Sequence, residues 1–151
     1  MTMDDVDREI IRHLEEDGRI SNTDLAAAVH LAPSSCLRRV RLLEQSGVIR
    51  GYRALIDPAA VGRGFEILVH VELGLKDSTT VRDFETQIAA FDEVVECRRM
   101  FGNPDYFIRV QVTDQAAYER FYMDKLASLP GLARVNSQFT MKLVKPAGDD
   151  A

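Results

Sequence analysis

Two short runs carry the side chains best suited to chemistry. In APSSCLRRVRLLEQSG, residues 32 to 47, Arg38, Arg39 and Arg41 follow the hydroxyls of Ser34 and Ser35. Guanidinium groups recognise phosphate and guanine bidentately, so this run has the means to hold nucleic acid. In MFGNPDYFIRV, residues 100 to 110, Gly102-Asn103-Pro104 has ordinary turn chemistry, yet Asp105 sits directly behind it and before two aromatics. That acid either faces solvent at a hairpin or closes one end of a ligand site.

Charge distribution bears on the first run more than total charge does. The chain of 151 residues has a net charge of −5. From Met1 to Gly18 two arginines stand among seven acids. From Arg19 to Arg63 the balance reverses: Arg19, Arg38, Arg39, Arg41, Arg50, Arg53 and Arg63 outnumber Asp24, Glu44 and Asp57, and no lysine is present. This is a localised basic patch inside an acidic protein.

Other chemistries find little support. Cys36 and Cys97 lie far apart with no CxxC spacing, and His13, His30 and His70 do not cluster. No HExxH, GxSxG, Walker or dinucleotide motif occurs. The expectation is therefore no enzyme, no metal and no cofactor. Apolar residues make up 46% of the chain, enough for a core, but no run approaches the roughly 18 apolar residues of a membrane span. The start MTMDDVDREI lacks the basic and apolar regions of a signal peptide, so a cytoplasmic protein with no membrane partner is expected.

The elements that must position these residues fall into two groups. Val6, Ile10, Ile11 and Leu14 mark one face of a helix ending near Gly18. Ser21 with Asp24 opens a second helix, Asn22 to Val29. After the turn His30-Leu31-Ala32, Pro33 suits the first position of a third helix, which runs to Ser46 and stops at Gly47. On that helix Cys36, Leu37, Val40 and Leu43 are expected to pack, leaving Ser34, Ser35, Arg38 and Arg39 outward. Arg41 is placed nearer the packed arc, touching DNA backbone or pairing with Glu44. VIRGYRALID reads as two short strands about Gly51. Three helices and a small hairpin outline a winged helix-turn-helix, with the helix after the turn in the major groove and Arg19, Arg50 and Arg53 flanking it. The bland alternative is a solvated basic helix face.

The turn-rich run DPAAVGRG, residues 57 to 64, is read as a linker between a first domain, 1–56, and a second, 65–145, with a polar tail at 146–151. In the second, strands at 65–75, 94–101, 106–112 and 134–144 and helices at 80–91 and 116–129 follow the ferredoxin-like order βαββαβ. The fold class is thus α+β. Helices cover one sheet face, and the bare opposite face predicts a dimer.

The run LAPSSCLRRVRLLEQSGVIRGYRALIDPAAVG resembles the DNA-binding half of the Lrp/AsnC (feast/famine) regulators. DDVDREIIRHLEEDGRISNTDLAAAV is similar to their first two helices. The resemblance continues through FGNPDYFIRV and YERFYMDKLASLPGL to the last strand, covering roughly residues 4 to 145. It departs at His30, where the family usually has Gly, at Ala32, where Ser or Thr often caps the helix, and at Leu42, where a basic residue is common.

The resemblance implies a RAM/ACT-like second domain sensing an amino acid, and a homodimer assembling to tetramers or octamers on double-stranded DNA. The family's G-x-x-D-Y signature falls on Gly102, Asp105 and Tyr106, with Asn103 in the same turn. Asp105 would accept hydrogen bonds from the effector's ammonium, while Gly102 would let backbone approach it closely. Ser137 and Gln138 occupy positions that often supply polar contacts. Strand alternation allows only one of these two to share a face with its alternate neighbours. The function so implied is a sequence-specific transcriptional regulator modulated by an amino acid. The alternatives are a weakly specific DNA-organising protein or an RNA-binding sheet of the same strand order, which lacks Gly-spaced aromatics here.

Overall fold

The computed structural model describes residues 3 to 145. The expected polar tail, 146–151, lies outside the described residues. Residues up to Leu55 form one compact unit and Ile56 to Lys145 another.

The first unit contains α1 (Asp5–Glu16), α2 (Asn22–Ala28) and α3 (Pro33–Gln45). Asp4 caps α1: its carboxylate accepts from the Asp7 N–H at 2.8 Å, and Asp7 returns the bond to the Asp4 N–H. Ser21 accepts from the Asp24 N–H at the start of α2. The turn between α2 and α3 depends on His30, which sits at φ 55° in the left-handed region that histidine tolerates better than most side chains. Ala32 offers α3 no side-chain cap, and Pro33 follows it with φ preset for a helix. Gly47 at φ 75° ends the helix. Ile10, Leu25, Ala26, Val29, Cys36 and Leu43 form the core.

The hairpin expected in VIRGYRALID does not form strands. Ile49 is tied back through its N–H to the Leu43 carbonyl, but residues 50 to 57 follow an irregular, exposed path. A two-stranded ribbon is marginal in water unless one face is packed, and none of these residues is buried.

The second unit starts with a 3-10 turn, Ala59–Val61, in the segment read as a linker. Then come β1 (Phe65–Leu73), α4 (Ser78–Ala89), β2 (Val94–Arg99), β3 (Tyr106–Val112), α5 (Gln115–Asp124) and β4 (Leu132–Phe139). The strands form one antiparallel sheet in the order β2-β3-β1-β4. The order of elements is the one read from the sequence: β3 has the expected bounds, β1 and β2 end at Leu73 and Arg99, earlier than expected, and α4 lies slightly nearer the N-terminus. Helix α5 stops at Asp124 and gives way to a 3-10 turn, Leu126–Ser128, while β4 ends at Phe139 rather than reaching 144.

Alternation along β1 and β3 buries Ile67, Val69, Val71, Leu73, Tyr106, Ile108, Val110 and Val112 beneath α4 and α5, with Phe84, Ile88, Tyr118 and Phe121. The other face is more polar than a bare apolar sheet. Arg109 lies between Glu66 and Glu96, and the His70 and Phe107 rings stand 5.4 Å apart.

Candidate functional sites

On α3 the exposed stripe is Ser34, Leu37, Arg38, Arg41, Leu42 and Gln45, which together line a shallow groove. The spacing alternates three and one, the signature of a single helix face. Three expectations are corrected here. Arg39 does not point outward: its guanidinium donates to Asp7 at 2.7 Å and to Asp4 at 2.8 Å, bridging the capping box of α1. Arg41 is exposed, not turned to the packed arc, and it forms no ion pair with Glu44, whose carboxylate accepts from the Tyr52 hydroxyl. The spacing explains the exchange. Arg39 lies three residues after buried Cys36 and four before buried Leu43, so it flanks the packed face, whereas Arg41 is five and two away. Leu37, expected in the core, is 38% exposed and belongs to the outer stripe.

Arg38 and Arg41 have no hydrogen-bond or ion-pair partner among the described residues. Ser34 is exposed beside them and Ser35 half-buried, while Arg19, Arg50 and Arg53 are also exposed. Asp7 is the one buried charged residue in the described chain, and the residue that sequence reasoning missed. The Asp7 N–H, then the Arg39 guanidinium, hold the Asp4 carboxyl below its ordinary value.

The second site lies at the sheet end where β2 turns into β3. The Met100 N–H donates to the Asp105 carbonyl and closes the turn, and the Asp105 N–H donates to the Val71 carbonyl on β1. Gly102 sits at φ 128° with open space where a Cβ would stand, and Phe101 is fully exposed at the tip. Met100 and Phe101 are therefore not core residues. The Asp105 carboxylate has both oxygens engaged: Oδ2 accepts from the Leu73 N–H at 2.8 Å and Oδ1 from Lys76 Nζ at 2.6 Å. The Lys76 ammonium, aided by the Leu73 N–H, holds this carboxyl below its ordinary range despite partial burial.

The other residues expected near an effector are not gathered within one chain. Tyr106 belongs to the core: it is 1% exposed, stacks on Phe84 and donates its hydroxyl to Glu85 at 2.8 Å. Burial, then Glu85, pushes the Tyr106 phenol pKa up. The residue following Asp105 must point to the opposite face, which here is the helix-covered one. Ser137 pairs with Val69, four residues back along β1 from Leu73, and its hydroxyl meets that of Tyr118 on the helix side. Gln138, opposite Leu68, is on the open face. Asn103 is exposed in the turn.

Comparison with known proteins gives these sites a context. Residues 66–149 match the Lrp/AsnC ligand binding domain, and residues 3–50 match a winged helix-turn-helix DNA-binding domain. The chain belongs to the Lrp/AsnC family. It is 35% identical over 143 residues to the leucine-responsive regulatory protein of Escherichia coli K12, covering 95% of this chain and 87% of that protein. A Neisseria meningitidis transcriptional regulator solved with L-methionine superposes with a TM-score of 0.91 at 34% identity, covering 96% and 94% of the two chains. The feast or famine regulatory protein of M. tuberculosis, also solved with L-methionine, gives 0.84 at 29% identity over 96% of each. This Lrp/AsnC chain is thus a DNA-binding transcriptional regulator whose second half is a ligand-binding unit.

Proposed function

We propose that this regulator reads DNA through the outer stripe of α3 and is controlled by an amino acid bound at the turn carrying Asp105. The observation that carries the reading is the division of labour on α3: Arg39 is consumed internally, while Arg38 and Arg41 are exposed and have no partner among the described residues. In the major groove these two guanidiniums would meet base edges and phosphate, with Ser34 and Gln45 at either end of the contact. Arg19, Arg50 and Arg53 would add backbone contacts that carry no sequence information.

For the effector, Asp105 supplies the acceptor for an ammonium group. The N–H groups of Phe101, Gly102 and Asn103 donate no hydrogen bond among the described residues, and would be free to take a carboxylate. The solved relatives in complex with L-methionine support an amino acid as the ligand class. Because Ser137 and Gln138 lie away from this turn, the site is read as completed by another copy of the chain, in a homodimer or an assembly of dimers. Phe101, fully exposed in the same turn as Asp105, suits such an interface. As a DNA-binding regulator, the protein is read as acting in the cytoplasm.

The test is retardation of promoter DNA on a gel at increasing salt, with and without each of the twenty amino acids. Binding should fall steeply with salt, since neutralised phosphates release counterions. Failure to retard DNA at low salt, or a flat salt dependence, would sink the reading.

A further inference from the structure

We infer that Lys76 is a tethered occupant of the ammonium position at Asp105, and that an effector must displace it in order to bind. This deepens the amino-acid reading above and rests on it.

The two hydrogen bonds to Asp105 differ in kind. Leu73 donates from the backbone of β1 and cannot withdraw without disturbing the strand. Lys76 donates from a side chain that is 60% exposed, so its ammonium can exchange this partner for water. The backbone that presents it is anchored on both sides. Gly74 is tied through its N–H to the Gly131 carbonyl, and Asp77 caps α4 by accepting from the Thr79 and Thr80 N–H groups. Lys76 therefore hangs from a fixed loop within reach of one carboxylate oxygen, at high local concentration.

The consequence is an exchange of like for like. An effector that places its ammonium on Asp105 forms one ion pair by breaking another, so the net contribution of that contact is small. Binding is thereby left to the carboxylate, at the free turn amides, and to the effector's side chain. The internal lysine lowers affinity for every α-amino acid alike, setting a concentration below which the site stays closed by its own side chain.

The inference is tested by calorimetric titration of the full-length protein and of Lys76→Met with each of the twenty standard L-amino acids. For each one bound, the desamino analogue is titrated as well. Lys76→Met is expected to bind the amino acid about three- to fivefold more tightly, the scale of a partly exposed ion pair. The desamino analogue should bind both proteins equally, and Lys76→Arg should bind like the parent. Binding by Lys76→Met alone would be the strongest support. Equal or weaker binding by Lys76→Met, with the parent still binding, overturns the inference and leaves the effector reading intact. Absence of binding by both proteins to all twenty overturns both.

Discussion

Arg39 on α3 and Asp7 on α1 are joined at 2.7 Å, with the Asp7 side chain only 8% exposed. The same guanidinium reaches Asp4, so one residue of α3 clamps the first turn of α1. A side chain of the type expected to read DNA is instead engaged within the fold, tying α3 to α1.

Arg39→Ala should therefore lower stability as well as DNA binding. Leaving the Asp7 carboxylate without its guanidinium costs about 1–3 kcal/mol, measurable as a fall in urea midpoint. The double replacement Arg39→Met with Asp7→Leu should recover part of that loss, since apolar pairs often replace buried ion pairs without penalty, while the Asp4 N–H loses its Asp7 acceptor. If Arg39 only positions α3, the double variant also regains DNA binding by fluorescence anisotropy. A stable double variant still blind to DNA would show that Arg39 touches DNA itself.

Arg38→Ala and Arg41→Ala should behave in the opposite way. Neither side chain is paired among the described residues, so thermal stability should be unchanged while DNA affinity drops. A bidentate base contact contributes roughly 1–3 kcal/mol, or about five- to one-hundred-and-fifty-fold in affinity. Loss at one base position identifies a reading residue. Uniform loss across sequences, with a shallower salt dependence, identifies a phosphate contact.

Asp105→Asn is expected to leave DNA binding in the absence of effector close to normal and to abolish the response to amino acids. The amide keeps an acceptor for the Leu73 N–H but loses the charge that holds an ammonium. Gel retardation with and without amino acid reads both effects. A full effector response in this variant would remove Asp105 from the site.

Acid should destabilise both units from the same cause. Asp4, Asp77 and Asp105 each have a carboxyl pKa held below its ordinary value of 3.8. Asp7 and Arg39 lower that of Asp4, Thr80 and Thr79 that of Asp77, and Lys76 and Leu73 that of Asp105. A depressed folded-state pKa means that the unfolded chain takes up protons first. The stabilisation is thus complete above about pH 5, begins to fall as pH approaches 3.8, and is lost through the lower folded-state values. Melting temperature followed from pH 7 to pH 3 should be level above pH 5 and then fall. A maximum near pH 4 would contradict this sign.

Much of the architecture was legible because it is written in local patterns. Periodic apolar positions, the Ser21 cap, Pro33 at the start of α3 and Gly47 at its end mark helices through interactions a few residues long. Strand alternation likewise separated Ser137 from Gln138 before any contact was visible. The hairpin after α3 failed for the complementary reason. Its composition permits strands, but a ribbon needs a packed face, and nothing in a local run of residues shows whether that face exists.

The sequence by itself determined the order of elements, the basic patch on α3 and the acid behind the glycine turn, because each follows from residue type and spacing. Only the tertiary structure decided which arginine faces outward and which cation holds Asp105. Those outcomes depend on partners 32 residues from Arg39 and 29 from Asp105, brought together by helix packing and by the closing of the sheet. An ion pair forms where folding happens to place two charges, and the spacing along the chain carries no record of that meeting.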